Sequence, residues 1–223
     1  MLMQTFKEFN NTTEGVNDPA IFKAVMLAGG PGSGKSFVVG KSSLTALGFR
    51  LINSDSFFEK ALKKAGLNPN PENINSVQGQ ELRSKAKALS GKQTDLAISG
   101  RLGLVIDGTG RDYVKIQNQV NELRAIGYSV FMIFVNTDLE TAIERNNNRP
   151  RRLSIDIVTT SWKTVQNNIG KFQRLFRNKL IVVDNSENSN IEKATLSVYK
   201  RIMTWSKKPP INKIALKWIS SQK

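Results

Sequence analysis

Gly29, Gly34, Lys35 and Ser36 match the spacing G-x-x-x-x-G-K-[ST], between an apolar run and a segment with helical spacing. Small residues at these positions let backbone amides turn inward around a chain of phosphates, and a helix that starts there adds partial positive charge. We expect Lys35 to reach the outer phosphates of ATP or GTP, and the Ser36 hydroxyl to bind Mg²⁺. The predicted nucleotide-binding residues are Gly29, Gly30, Pro31, Gly32, Ser33, Gly34, Lys35 and Ser36.

A first carboxylate, Asp55, comes two residues after the apolar run 49–53. A lone carboxylate near bound phosphates suits a general base that takes the proton from an acceptor hydroxyl. A helix cap is the alternative role, because Asn53, Ser54, Asp55 and Ser56 lead directly into helical spacing and Asp and Ser favour that position. The two roles are compatible.

A second carboxylate, Asp107, ends the apolar run 102–107, and Thr109 and Arg111 follow it. We expect Asp107 to hold magnesium through water or to contact the acceptor, and Thr109 and Arg111 follow within reach of the same space. Gly108 and Gly110 would let the backbone approach a ligand closely, and a plain tight turn explains them equally well.

Four arginines form a basic segment near residue 150: Arg145, Arg149, Arg151 and Arg152. Arg145 and Arg149 are four residues apart, so they share one face of a helix that Pro150 should end. Like charges in that arrangement repel unless an anion neutralises them. The segment is typical of a lid that stabilises a transferring phosphoryl group, and a solvated helix end is the alternative.

Composition removes several kinds of chemistry. The 223-residue chain contains no Cys and no His, which excludes thiol nucleophiles, disulfides and Ser-His-Asp triads.

Residues 151–223 carry 15 Lys and Arg against 4 Asp and Glu, whereas residues 1–150 carry 18 Lys and Arg against 14 Asp and Glu. A basic surface of this kind attracts polyanions, so nucleic acid is a candidate partner of the last third, and a merely soluble basic surface is the alternative.

Apolar runs alternate with helical spacing along the chain, which predicts a mostly parallel five-stranded sheet with helices on both faces, an α/β three-layer sandwich of the P-loop NTPase type with an Arg-rich lid. The predicted strands are 23–28, 49–53, 102–107, 128–135 and 179–184. The predicted helices are 35–47, 113–126, 138–146, 155–177 and 191–205, with helical material over 56–99 broken at the sequence NPNPEN. Ligands of such sheets bind beyond the carboxyl ends of the strands.

The expected organisation is an N-terminal extension over 1–18, a kinase-like domain over 19–206 and a basic tail helix over 207–223 that docks on its own domain. No apolar run is long enough to cross a membrane, and the start of the chain lacks the features of a signal peptide. We therefore expect a cytoplasmic protein. The oligomeric state does not follow from the sequence.

The segments PAIFKAVMLAGGPGSGKS, INSDSF, VIDGTGR and AIERNNNR together resemble the zeta toxin family and the phage-type polynucleotide 5′-kinases. The resemblance covers residues 19–184, and Asp107 stands where zeta toxins usually have Glu. It implies nucleotide and magnesium binding by Lys35 and Ser36, a general base at Asp55, and stabilisation of the phosphoryl group by Arg145 and Arg149. It also implies that Asp107, Thr109 and Arg111 contact the acceptor or the metal. Residues 66–100, where acceptor specificity is expected, match neither group.

Two functions fit these observations. The first is an ATP-dependent, magnesium-requiring kinase that phosphorylates a hydroxyl of a nucleic acid 5′-end, a nucleotide or a nucleotide sugar. The second is a protein with weak or no catalysis that keeps the P-loop kinase fold to bind nucleotide and nucleic acid or to assemble on a larger particle. The basic tail KKPPINKIALKWISSQK motivates the second.

Overall fold

Five apolar segments form one parallel sheet in the computed structural model, which describes residues 16–149, 152–187 and 189–222. The strands are β1 (Lys23–Ala28), β2 (Phe49–Ile52), β3 (Gly103–Asp107), β4 (Ser129–Asn136) and β5 (Leu180–Asp184). Their order in the sheet is β2-β3-β1-β4-β5, and every pairing is parallel. The predicted three-layer α/β fold is confirmed.

Helices connect the strands and cover both faces of the sheet. In chain order they are α1 (Lys35–Lys41), α2 (Ser54–Lys64), α3 (Pro71–Asn75), α4 (Val77–Ser99), α5 (Tyr113–Ala125), α6 (Leu139–Asn147), α7 (Ile155–Phe176), α8 (Ile191–Ser206) and α9 (Lys213–Ser221). Short 3₁₀ turns occupy Leu44–Leu47 and Arg177–Lys179. Among the described residues, no helix has both the length and the apolar character that a membrane span requires.

Alternating side chains of the strands enter two separate cores. Met26 and Met132 face the layer of α5 and α7, whereas Leu27 and Ile133 face the layer of α1 and α8. Successive side chains of a strand point to opposite faces, so a strand buried on both sides must be apolar throughout. A third, smaller core around Phe58 joins α2, α3 and α4 beside the sheet.

Two predicted helices differ from the observed ones. The helix expected over 35–47 ends at Lys41, because Ser43 adopts a left-handed backbone conformation and the chain continues as a 3₁₀ turn. The helical material over 56–99 divides into three helices. Asn70 caps α3 with Pro71 in its first turn, and the Ser76 hydroxyl accepts from the Gly79 amide to cap α4.

The tail helix α9 packs on its own domain. Ala215 is buried against Gly127, and Trp218 makes an edge contact with Phe22 at a centroid separation of 5.5 Å. Both partners lie where β1 and β4 begin. We call this side of the sheet, where the strands begin, the N-terminal edge, and the opposite side the C-terminal edge. Residues 1–15, Pro150, Arg151, Asn188 and Lys223 lie outside the described part of the chain.

Lys23 begins β1 and is only 4% exposed. Its amine lies 5.4 Å from the centre of the Trp205 ring. Burial, with a smaller effect of the nearby charges of Lys179 and Lys208, lowers the pKa of Lys23 to about 8. A charged lysine at this position therefore opposes folding.

We expect Lys23→Met to raise the free energy of unfolding near pH 7 by about 1 kcal/mol, because it removes a desolvated charge while losing the contact with Trp205. The folded-state pKa, about 8, lies below the ordinary value of 10.5, so the unfolded state binds this proton more tightly. The cost is complete below pH 8 and disappears as the pH rises toward 10.5. Urea denaturation of both proteins at about pH 7 and about pH 10 should show the difference shrinking. Lys115→Met, at an exposed position, is the control. A difference in the free energy of unfolding between Lys23→Met and the wild-type protein that does not change with pH would contradict this account.

Candidate active site

The loop between β1 and α1 has a conformation that its glycines make accessible. Gly32 and Gly34 have φ values of 78° and 83°, in the left-handed region. A Cβ on Gly32 would collide with the backbone of Ala142 in α6, and one on Gly34 would collide with the Asn185 side chain. The loop is therefore enclosed on two sides by elements distant in the sequence.

Asn185, which directly follows β5, braces this loop. Its buried side chain donates from Nδ2 to the Ser33 carbonyl at 2.8 Å. Its own carbonyl accepts from Arg145 Nη1 at 2.8 Å and from the Thr137 hydroxyl at 3.3 Å. Asn185 thus connects the phosphate loop to the turn between β4 and α6 and to α6 itself.

Lys35 is folded back over the loop. Its Nζ donates to the Gly29 carbonyl at 2.6 Å and approaches the Gly30 carbonyl at 3.4 Å. Burial lowers the pKa of Lys35, the carboxylate of Asp107 opposes that shift, and Arg149 adds to it. Lys35 is therefore within electrostatic reach of groups from β3 and from the end of α6. Ser36, in the first turn of α1, is exposed and lines the same cavity.

Asn53 organises the two carboxylates at the ends of β2 and β3. Its Nδ2 donates to Asp107 Oδ2 at 2.8 Å, and its Oδ1 accepts from the Asp55 amide at 2.8 Å. Asn53 is thus the cap of α2, and the Asp55 carboxylate lines the cavity from the first turn of that helix.

Asp107 is the more buried of these two carboxylates. Desolvation raises its pKa, and the positive charge of Lys35 opposes the rise. Its Oδ1 is buried and has no hydrogen-bond partner among the described residues. A buried carboxylate oxygen without a partner is costly in an empty site, and it suits a cation or a hydroxyl brought by a ligand.

The loop after β3 is held in place from α7. The Gly29 amide donates to the Thr109 carbonyl at 3.0 Å. Asn168 Nδ2 donates to the carbonyls of Gly110 at 3.0 Å and Arg111 at 2.9 Å. Thr109 lines the cavity, whereas the exposed Arg111 side chain is not part of its lining.

The arginine pair at the end of α6 divides between two places. Arg149 lines the cavity, and Arg145 lies beneath it, bonded to the Asn185 carbonyl. The segment after α6 is pinned by the buried Asn146, whose side chain donates to the Leu153 carbonyl at 2.8 Å and accepts from the Leu153 amide at 3.0 Å. The predicted lid residue Arg152 is exposed, and Pro150 and Arg151 lie outside the described residues.

One cavity of about 1070 Å³ joins these groups at the C-terminal edge of the sheet. The expected residues that line it are Gly30, Pro31, Gly32, Gly34, Lys35, Ser36, Asp55, Asp107, Thr109 and Arg149. It continues along α2 past Glu59 and Lys63 to the turn at residues 66–69. The phosphate loop thus occupies one end of a cavity that also has room for a second ligand.

Magnesium fits this site without a cluster of acidic ligands. Among the described residues, no three Asp, Glu, His or Cys side chains form a group that could hold a metal ion. Mg²⁺ needs only one or two protein oxygens when nucleotide phosphates and water complete its octahedron. The Ser36 hydroxyl and the unpartnered Asp107 Oδ1 are suitable oxygens.

Several residues that shape the site were not among the predicted ones: Asn53, Asn146, Asn168 and Asn185. The INSD segment offered a signal for Asn53, because Asn is a favoured helix cap. The other three act through contacts across the fold, and a single sequence does not distinguish them from surface asparagines.

A sequence-family profile described as an AAA domain matches residues 25–171. The chain belongs to this AAA-domain family. The match includes the phosphate loop, both strand-end carboxylates and the arginine pair. No curated protein sequence matches the chain.

Solved structures similar to this AAA-domain protein include P-loop proteins from several systems. A structure from the PezAT toxin-antitoxin system of Streptococcus pneumoniae has a TM-score of 0.52 and 15% identity, covering 94% of this chain and 100% of that one. The AvrRxo1-ORF1:-ORF2 complex with ATP has a TM-score of 0.58 and 14% identity, and the match covers 81% of this chain and 63% of that one. The Pnkp1/Rnl/Hen1 RNA repair complex has a TM-score of 0.53 and 17% identity, and the match covers 73% of this chain and 48% of that one. These similarities show a P-loop kinase-like fold.

We expect Asn185→Ala in this AAA-domain protein to weaken binding of a non-hydrolysable ATP analogue about tenfold, because a buried hydrogen bond to the phosphate loop is lost. Isothermal titration calorimetry measures the affinity. Asn178→Ala is the matched control, since Asn178 is exposed and its side chain makes no described hydrogen bond. Unchanged affinity in Asn185→Ala would show that the brace does not shape the nucleotide site.

Proposed function

We propose that this protein is an ATP-dependent phosphotransferase that transfers the γ-phosphate to a hydroxyl group. One observation carries the proposal: a single cavity brings together Lys35, Asp55, Asp107 and Arg149, which come from four separate elements of the fold. A protein that only binds nucleotide needs the loop and Lys35. A carboxylate base and an arginine facing the same cavity are the additional groups that phosphoryl transfer requires.

In this mechanism the acceptor hydroxyl lies beside Asp55 and its oxygen attacks the γ-phosphorus. The bond from that phosphorus to the β,γ-bridging oxygen breaks, and its electron pair leaves with ADP. The hydroxyl proton passes to the Asp55 carboxylate. Lys35 leaves the loop carbonyls for the outer phosphates, and Arg149 stabilises the charge on the transferring group.

Ser36 and Asp107 are the residues that would hold Mg²⁺, which supplies neutralisation of the phosphate charge. Asn53 holds one Asp107 oxygen through its amide and leaves the other, which is buried and has no hydrogen-bond partner among the described residues, for the metal. ATP is the favoured donor in this proposal, because a structural neighbour has been solved with ATP. Arg145 acts through Asn185 on the loop.

The proposed acceptor carries its hydroxyl on a nucleic acid 5′-end, a nucleotide or a nucleotide sugar. The cavity beyond Asp55 contains both a carboxylate, Glu59, and a cation, Lys63, so it offers partners for hydroxyls and for a phosphate. The similarity to a component of an RNA repair complex and the basic last third support a nucleic acid among these three. Thr109 is the proposed acceptor contact on the opposite wall.

A second candidate is a protein of weak or no catalysis that binds nucleotide and nucleic acid. The observation that favours it is the excess of Lys and Arg over Asp and Glu in residues 151–223, which lies largely outside the cavity. Under this function, Lys35→Ala would abolish nucleotide binding and leave nucleic acid binding intact.

The deciding experiment measures transfer of labelled phosphate from ATP to a 5′-hydroxyl oligonucleotide, a nucleoside monophosphate and UDP-N-acetylglucosamine. We expect Asp55→Asn to lower kcat by about 10²–10⁴ with little change in ATP affinity, because only the proton acceptor is lost. Lys35→Ala should lower both transfer and ATP affinity.

Asp95→Asn and Lys41→Ala are the matched controls, since both residues are exposed and lie outside the cavity lining. Transfer that persists in Asp55→Asn would contradict the assignment of the base. Absence of transfer to all three acceptors, with nucleic acid binding retained in Lys35→Ala, would favour the second candidate.

A further inference from the structure

A group of lysines occupies the N-terminal edge of the sheet, opposite the cavity. Lys23 of β1 is paired in register with Ser129 of β4. The Ser129 hydroxyl accepts from Lys179 Nζ at 2.8 Å and from Trp205 Nε1 at 3.1 Å. Lys208 follows at the end of α8, where its amide donates to the Trp205 carbonyl. We call Lys23, Lys179 and Lys208 the basal cluster.

The basal cluster has no acidic counterpart. Within residues 16–149, 152–187 and 189–222, no carboxylate lies within salt-bridge distance of these three lysines. Asp18, near the same edge, is engaged by Arg50 at 2.6 Å. Burial and the charge of Arg124 both lower the pKa of Lys179, and the pKa of Lys23 is lowered similarly. The positive charge at this edge is therefore uncompensated within the described chain.

In residues 151–223, acidic and basic side chains are concentrated at opposite edges of the sheet. The four acidic residues of this segment lie at or near the C-terminal edge: Asp156, Asp184, Glu187 and Glu192. Its cations concentrate where α7 and α8 end, because both helices run antiparallel to the strands. Arg177 and Arg201 flank the basal cluster there and are exposed. The net charge of the last third is thus concentrated on one surface.

We propose that Lys179 and Lys208 of the basal cluster, with the flanking Arg177 and Arg201, bind the phosphates of a nucleic acid strand. Lys23 is buried beneath them and makes no such contact. Several cations without a salt-bridge partner among the described residues lie where α7 and α8 end, which favours a polyanion, whereas a single small anion would engage only part of the group. Trp205 is packed on Phe131 and Phe49 at centroid separations of 5.1 and 6.1 Å, so its ring is not available for stacking on bases. The surface therefore contacts the backbone and is indifferent to base sequence. This inference does not depend on phosphotransfer at the cavity.

The test measures fluorescence anisotropy of a 5′-fluorescein oligo(U) RNA of about 16 nucleotides, whose blocked 5′-end cannot accept a phosphate. We expect the double variant Lys179→Gln/Lys208→Gln to bind on the order of tenfold more weakly at about 100 mM salt. The slope of log K against log salt concentration should fall by about 1.4, because two contacts to a single strand are lost. A mixed-sequence RNA should behave identically.

Lys85→Gln/Lys87→Gln is the control, since it removes the same charge from exposed positions on α4. Its affinity and salt slope should match those of the wild-type protein within error. Equal weakening in the two double variants would overturn the proposal in favour of a general charge effect, and wild-type binding in Lys179→Gln/Lys208→Gln would overturn it outright.

Vesicles containing phosphatidylserine provide the competing arm. If the basal double variant loses vesicle binding and keeps RNA binding, the surface belongs to a membrane and the proposal is wrong. Lys35→Ala should retain wild-type RNA binding in the same assay, so failure of phosphotransfer and failure of this proposal are separately visible.

Discussion

The tight curl of the phosphate loop is the constraint on which the rest of the site depends. Amides can converge on a phosphate only if the backbone enters the left-handed region, and at Gly32 and Gly34 it does so against α6 and Asn185. Neither neighbour leaves room for a side chain. The site therefore requires β5 and α6 to lie where they do, although they are more than a hundred residues away in the sequence.

The parallel sheet places the remaining groups around that loop. Because β2 and β3 end at the same edge, Asp55 and Asp107 meet, and Asn53 bonds to both of the segments that carry them. Burial then distinguishes the two carboxylates: Asp107 is desolvated, and Asp55 is exposed at the start of α2. Different environments allow different roles for two chemically similar side chains.

The same topology separates two kinds of positive charge. Lys35 and Arg149 line the cavity at the C-terminal edge, together with carboxylates that favour the charged form of Lys35. The basal cluster stands at the opposite edge, and no carboxylate of the described residues lies within salt-bridge distance of it. Because α7 and α8 run antiparallel to the strands, basic side chains at the C-terminal ends of these helices lie at the edge of the sheet opposite the cavity.

Local pattern alone determined the strands, the phosphate loop and the carboxylates at the strand ends. These features depend on periodicity, on glycine placement and on the rule that parallel strands share an edge. It also predicted that Arg145 and Arg149 share a face of a helix that Pro150 ends, and this was wrong, because α6 ends at Asn147 and Arg149 lies beyond it. Only the tertiary structure decided that Arg149 lines the cavity and Arg145 binds Asn185, and that Asn53 rather than Asp55 caps α2. Those outcomes depend on contacts between segments far apart in the chain, whose geometry is set by how helices pack on the sheet.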